Sequence, residues 1–547
     1  MLRPENNYYF LSSISSMRFL FFFIFLFLVS SCNYQTKENS SEHDMMSHNS
    51  QKNSFGTGNF SIETDFIDER NESSIVNLSN NDTYDLTIGA IGTKIGWLPI
   101  TMLAYNQSIP WPALRVPVGS KIIFHVKNLI KNLPETLHPH GVRTDWKWDG
   151  VLKIHGWAHE PILYGETDTY EITFPDTGIY WYHPHIARDD IAQEYGLYGT
   201  ILVYNPNEKV QYTTETIITL DDIALSQNGI LPFWVDSIDH TIMGRYGDTF
   251  LINGKENPTF SFTPKNIHRI YLVNPSNARP YNVFFSWAQM KMIGSDGWKY
   301  EKEYMTTWVI VWPGERATVD VYYESTGSYE FFTNNEKKDI SLAKIEIKDS
   351  LIQSPSALTR FSQIESNKKM FDTMQSWTVL SDIVDKYSSQ KPDKILSIHM
   401  EMMGMNMGNM EETHTWAIEW EDTMKQMNQM HTDKQVLWKL TDEISGKSNM
   451  DIDWKFKKNS YVVLQVKNPL NSSHPMQHPF HIHGQRFLVL TSNQTKNENP
   501  VWKDTVLISA GWEVNLLIDM SNPGTWPAHC HTLEHMLSGM MFHFTVE

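Results

Sequence analysis

Cysteine is almost missing from this chain: 547 residues contain two, Cys32 and Cys530. Two cysteines in such different settings do not make a disulfide framework, so buried apolar surface must hold the fold and each thiol needs its own explanation. Positive charge is short as well. Lys and Arg number 45 against 63 Asp and Glu, a formal balance of −18. Such a chain repels a phosphate backbone, and no basic patch with interleaved aromatics offsets this, so no nucleic-acid partner is expected. An acidic surface instead raises the local concentration of cations. Long apolar runs are also lacking, with one exception at residues 19–29.

That exception follows Arg18 and runs unbroken from Phe19 to Val29. Its length suits the core of a signal peptide and is too short for a comfortable membrane span. It ends in Val29-Ser30-Ser31-Cys32, which resembles a bacterial lipobox, where the cysteine is lipidated and becomes the mature N-terminus. Residues 1–32 are therefore expected to be a signal peptide with lipobox. Residues 33–81, rich in Asn, Ser, Glu and Lys, read as a disordered tether. The expected location is the periplasm or cell envelope, with membrane contact only through a lipid on Cys32.

Beyond the tether, short β-rich runs alternate with turn signals, as in residues 121–126, 216–220 and 461–466. A hydrophobic fraction of 41% with 13% aromatics is enough for several cores. Many short strands with regular turns predict an all-β chain of sandwiches or barrels. Three blocks are expected: 82–206, 207–349 and 396–547, with a Ser-, Gln- and Lys-rich connector over 350–395.

Histidine is concentrated where cysteine is not. Of 22 histidines, ten fall in four short runs: His138-Pro139-His140, His183-Pro184-His185, His478 with His481 and His483, and His529-Cys530-His531 with His535. On a strand, side chains at i and i+2 share a face, so each His-x-His pair can converge on one metal. One such pair is easily an accident; four in one chain are not. The last run also interleaves a thiol. Cys530 should face one way and His529 and His531 the other, so one segment can serve two metal sites back to back. A lone thiolate with the imidazoles of His478 and His535 and the thioether of Met540 matches a blue-copper ligand set. Structural zinc sites want more thiolates or a closed tetrahedron.

With these motifs in this order, residues 82–547 resemble a three-domain multicopper oxidase. The resemblance implies three cupredoxin-like Greek-key β-sandwich domains and four copper ions. It makes His138 and His481 the type 2 ligands. His140, His183, His185, His483, His529 and His531 become the ligands of the type 3 pair, and His478, Cys530, His535 and Met540 those of type 1. It further implies that a small reducing substrate gives single electrons to type 1 copper. They pass through Cys530 to His529 and His531, and dioxygen is reduced to water. Asp149 resembles an acidic position that the family places near the cluster, a candidate proton relay; the plain alternative is a solvated turn residue before Gly150. Some bacterial relatives carry a Glu after the histidine matching His535, but here that position is Met536, and Glu534 is not a given replacement.

One motif lies outside this pattern. Residues 399–410 hold Met400, Met402, Met403, Met405, Met407 and Met410 among Gly, Asn and Glu. Thioether sulfur is a soft ligand for Cu(I), and the spacing forms neither a clean helical stripe nor an apolar run, although a Met-rich core stretch is the competing reading. Cu(I) oxidation in copper tolerance is thus the expected role. A laccase-like oxidation of phenols is the alternative within the class, and copper sequestration without turnover the alternative outside it.

Overall fold

The computed structural model describes residues 60–110, 112–151, 160–186, 188–349, 356–364, 370–371, 377–402, 418–422 and 435–547. Cys32 and the lipobox lie outside them. Strands dominate the described residues and helices are short. No helix among them is long and apolar enough to cross a membrane.

Three pairs of sheets repeat one plan. In each, an early strand lies parallel to a later one: Thr83–Ile95 beside Lys121–Asn128, Thr214–Ile223 beside Ile267–Val273, and Lys394–Met402 beside Ser460–Lys467. In each, the facing sheet is built on an antiparallel pair: Gly178–His183 with Gly199–Tyr204, Gly327–Asn334 with Asp339–Ile347, and Gly524–Cys530 with Met541–Val546. Alternating apolar side chains of the two sheets meet in one core per pair. Leu86, Ile122 and Phe124 meet Leu114, Tyr182 and Ile201 in the first. Leu464, Leu516 and Trp438 meet Phe480, Ala528 and Cys530 in the third. A fully buried Leu or Ile contributes about 1.5–3 kcal/mol, so cores of this size hold the sandwiches without disulfides.

Residues 60–81 depart from the expected tether. Ile67–Glu69 pairs parallel with Thr83–Ile95, and Ile75–Asn77 with Ala113–Pro117. Arg70 between them donates to the carbonyls of Gly254 at 2.8 Å and Ile109 at 2.9 Å. Each is only three residues long, Ile-Asp-Glu and Ile-Val-Asn, too short a run to show alternation in a compositional reading. Part of the connector is folded too. The helix Leu380–Tyr387 lays Leu380, Ile383 and Val384 on Val463, Leu488 and Trp502 of the third pair.

Candidate metal centre

Strand register assembles the imidazoles. His138 lies opposite His183 in the first sheet pair, and His481 opposite His529 in the third. The two groups meet across the contact between these pairs. His138 stacks on His483 at 4.2 Å between ring centres, and His140 on His481 at 3.9 Å. All eight rings, including His185 and His531, are buried. Nitrogens of His185, His483 and His529 converge: Nε2 of His529 is 3.3 Å from that of His185 and 2.9 Å from that of His483.

Hydrogen bonds fix which nitrogen of several rings is free. His138 Nδ1 donates to the Asp149 carbonyl at 2.7 Å, and His481 Nδ1 to the Asp504 carbonyl at 2.9 Å. Nε2 then carries the lone pair in both rings, and both Nε2 atoms are buried without a hydrogen-bond partner, as are both nitrogens of His183 and His531. Unpartnered buried nitrogens are costly, and a cation held by their lone pairs removes that cost. Burial keeps these rings in the form that can bind. It holds the imidazoles of His140, His183, His185, His481, His483 and His531 well below their usual range, and that of His529 at about 4. The donor set fits copper.

On the other face of the same strand, Cys530 sits in the apolar core. Its Sγ is 3.7 Å from His478 Nδ1 and 3.6 Å from His535 Nδ1. His535 Nε2 donates to the Ile242 carbonyl at 3.0 Å, leaving Nδ1 as the free nitrogen. Met540 is fully buried in the same core, and its carbonyl accepts from the Cys530 amide at 3.2 Å. Burial pushes the Cys530 thiol up to about 12, so a metal must displace its proton on binding. Trp438 covers both imidazoles, with ring centres 4.8 Å from His478 and 4.4 Å from His535. Its Nε1 is fixed by donation to the Thr241 carbonyl at 2.8 Å.

Asp149 is not a solvated turn residue. It is 3% exposed, and its Oδ2 accepts from His483 Nδ1 at 2.8 Å. Gly150 permits this: at φ +75 a Cβ there would lie 1.9 Å from the Leu137 carbonyl oxygen. Gly150→Ala is therefore expected to lower stability by at least about 1–3 kcal/mol and to weaken copper retention, read by thermal unfolding and by copper content after dialysis. Glu534 is buried against Asn277, whose Nδ2 donates to its two oxygens at 2.8 and 2.7 Å. Burial raises its carboxyl to about 7.

The methionine segment is divided. Met400 is 3% exposed in the core of the third pair, with Met402 packed beside that core; Met403, Met405, Met407 and Met410 lie outside the described residues. The sequence reading missed four residues near the centres. Asp504 and Arg316 lie under the imidazole cluster, paired at 2.6 Å. Near the thiol, His474 Nε2 contacts Met243 Sδ at 3.0 Å. Each is a single ordinary residue, without a motif to mark it.

Three family models, each described as multicopper oxidase, match residues 93–208, 235–348 and 418–547. Multicopper oxidase MmcO of Mycobacterium tuberculosis is 23% identical, covering 84% of this chain and 86% of its own. Multicopper oxidase mco of Staphylococcus epidermidis is 26% identical, covering 80% and 82%. Among solved structures, the multicopper oxidase of Campylobacter jejuni, described as a metallo-oxidase, superposes with a TM-score of 0.65 at 24% identity, over 88% of this chain and 98% of that one. That likeness is one of fold.

Proposed function

This chain belongs to the multicopper oxidase family of copper-dependent oxidoreductases, which use dioxygen and a reducing substrate, and from that premise we propose that its donor is Cu(I). The ligand reading is that His478, Cys530, His535 and Met540 hold type 1 copper, and His138 and His481 type 2. His140, His183, His185, His483, His529 and His531 then hold the type 3 pair, four ions in all. When bound, the coppers supply one-electron acceptance from the donor and four-electron reduction of dioxygen to water. The protein's part is placement. Cys530 is bonded through the backbone to His529 and His531, so one peptide unit on either side links the two centres. Burial excludes water from both and keeps their imidazoles neutral. Asp149, bonded to His483, is the candidate to carry protons toward the cluster.

The observation that carries the Cu(I) reading is the pair His474–Met243. An imidazole and a thioether in contact at 3.0 Å make a soft donor set. The pair adjoins the thiolate centre: Met243 follows Ile242, whose carbonyl accepts from His535, and His474 precedes His478 by one short turn of chain. His474 retains 8% of its surface, while Met243 is fully covered. Met403, Met405, Met407 and Met410 would feed the same ion. An exported, lipid-anchored chain would do this outside the cytoplasm, where Cu(I) enters.

Oxygen uptake by copper-loaded protein with Cu(I) or a phenol as donor ranks the substrates. His474→Gln and Met243→Leu are expected to raise KM for Cu(I) about tenfold, or about 1.4 kcal/mol, and to leave phenol oxidation near its starting rate. Deleting 403–410, which spares the strand Lys394–Met402, is expected to act in the same sense. Equal loss with both donors would remove the case for Cu(I), and no uptake with any donor would favour sequestration.

A further inference from the structure

The first and third sheet pairs supply every imidazole of the cluster, and the middle pair none. Yet a turn of the middle pair, residues 312–316, reaches the same place. A Cβ on Gly314, at φ +81, would lie 2.8 Å from His531 Cδ2, so only a glycine brings this backbone so close to the ring. Arg316, completely buried, follows two residues later. Its Nη1 and Nη2 donate to Asp504 Oδ1 and Oδ2 at 2.6 and 2.7 Å, and its Nε to the Ile179 carbonyl at 3.1 Å. One guanidinium thus ties the three sheet pairs together. Gly141, next to His140, leaves room for it: a Cβ there would meet Asp504 Oδ2 at 2.5 Å and Arg316 Nη2 at 2.6 Å.

Asp504 touches one histidine of its own sheet pair and one of the first. Its carbonyl accepts from His481 Nδ1 at 2.9 Å, and its Oδ1 lies 3.4 Å from His140 Nε2. Thr505 Oγ1 donates to the same Oδ1 at 2.9 Å and lies 3.0 Å from His481 Nδ1. The carboxylate therefore cannot rotate without disturbing both rings, which stack at 3.9 Å.

We propose that Arg316 is a positioning residue for the trinuclear site, acting through Asp504 to fix the tautomer of His481 and the placement of His140. A bidentate guanidinium sets the plane of a carboxylate in a way that an ammonium cannot. With that plane set, the Asp504 backbone presents its carbonyl to His481 Nδ1, and Nε2 is directed into the cluster. Groups that orient metal ligands in this manner change metal affinity by about 10- to 100-fold when removed. The middle pair, without a ligand of its own, thereby determines how the other two hold copper.

The inference rests on the ligand reading above, and the test separates the two. Full-length wild type, Arg316→Lys and Asp504→Asn are loaded with copper and compared by copper content, blue absorption, electron paramagnetic resonance and thermal unfolding. Wild type should show a blue Cu(II) signal and a second, non-blue one; absence of the second overturns the ligand reading itself. In both variants the blue absorption per chain should be unchanged, because none of its ligands is touched. The non-blue signal should shift its hyperfine splitting and be lost to chelator at about 10- to 100-fold lower concentration. A wild-type non-blue signal in the variants, with or without a lower Tm, makes the pair a packing tie and overturns the proposal. So does parallel loss of both signals. Should Arg316→Lys fail to fold, the nearly isosteric Asp504→Asn decides by the same signals.

Discussion

Cys530→Ser is expected to abolish the blue absorption and to bring oxygen uptake to background with every donor. Cys530 supplies the only thiol among the described residues, and it lies within 3.7 Å of both His478 Nδ1 and His535 Nδ1. A serine oxygen is a hard and weakly acidic donor, a poor match for the soft site that blue copper requires. The substitution scarcely changes volume. Its cost to the fold is that of an extra hydroxyl in the core around Phe480, Ala528 and Phe542, on the order of 1–3 kcal/mol. The variant should therefore still fold and retain the copper of the imidazole cluster, because His529 and His531 point away from the core. A blue band that survives in Cys530→Ser would contradict the type 1 assignment. A variant that loses all copper would contradict the independence of the two faces.

That back-to-back arrangement was legible in advance because it depends on the period of a strand alone. His529 and His531 on one face and Cys530 on the other follow from alternation, and the paired sheets follow from many short alternating runs. Convergence of the four histidine runs followed only from their chemistry, which makes no sense unless they meet. What escaped notice has no local period. Arg316 and Asp504 are 188 positions apart, and Met243 and His474 are 231 apart. Each is brought to its partner by packing between distant parts of the chain, Met243 at the end of a short helix and His474 in a loop, and a buried Arg–Asp pair looks in sequence like any two surface charges. Asp149 was half legible. Its position suggested a role, but only the fold of Gly150 against the Leu137 carbonyl shows why the carboxylate is buried. The strands within 60–81 were hidden for another reason: each is three residues long, too short to show a period.

Removal of copper should make the protein strongly acid-labile. Burial holds nine imidazoles of the two sites below their usual value of 6.5, with His529 at about 4 and His535 at about 3. In the unfolded chain the same rings take up protons near 6.5, so the unfolded state binds more protons and stability rises with pH. Stability from these rings is complete above about 6.5 and is lost as pH falls toward 4 for His529 and toward 3 for His535. For His529 the full difference amounts to about 3 kcal/mol, and the other rings add to it in the same direction. Copper opposes this because it occupies the lone pairs that protons would take, and each site adds about 4 kcal/mol at a thousand times its Kd. Thermal unfolding of stripped and loaded protein between pH 8 and 4.5 should show a gap in Tm that widens from about pH 6.5 downward. It should close again only where acid releases the metal. A stripped protein whose Tm stays level from pH 8 to 5 would mean that the imidazoles are reached by water and protonate in place, and the buried, neutral ligand cage would have to be abandoned.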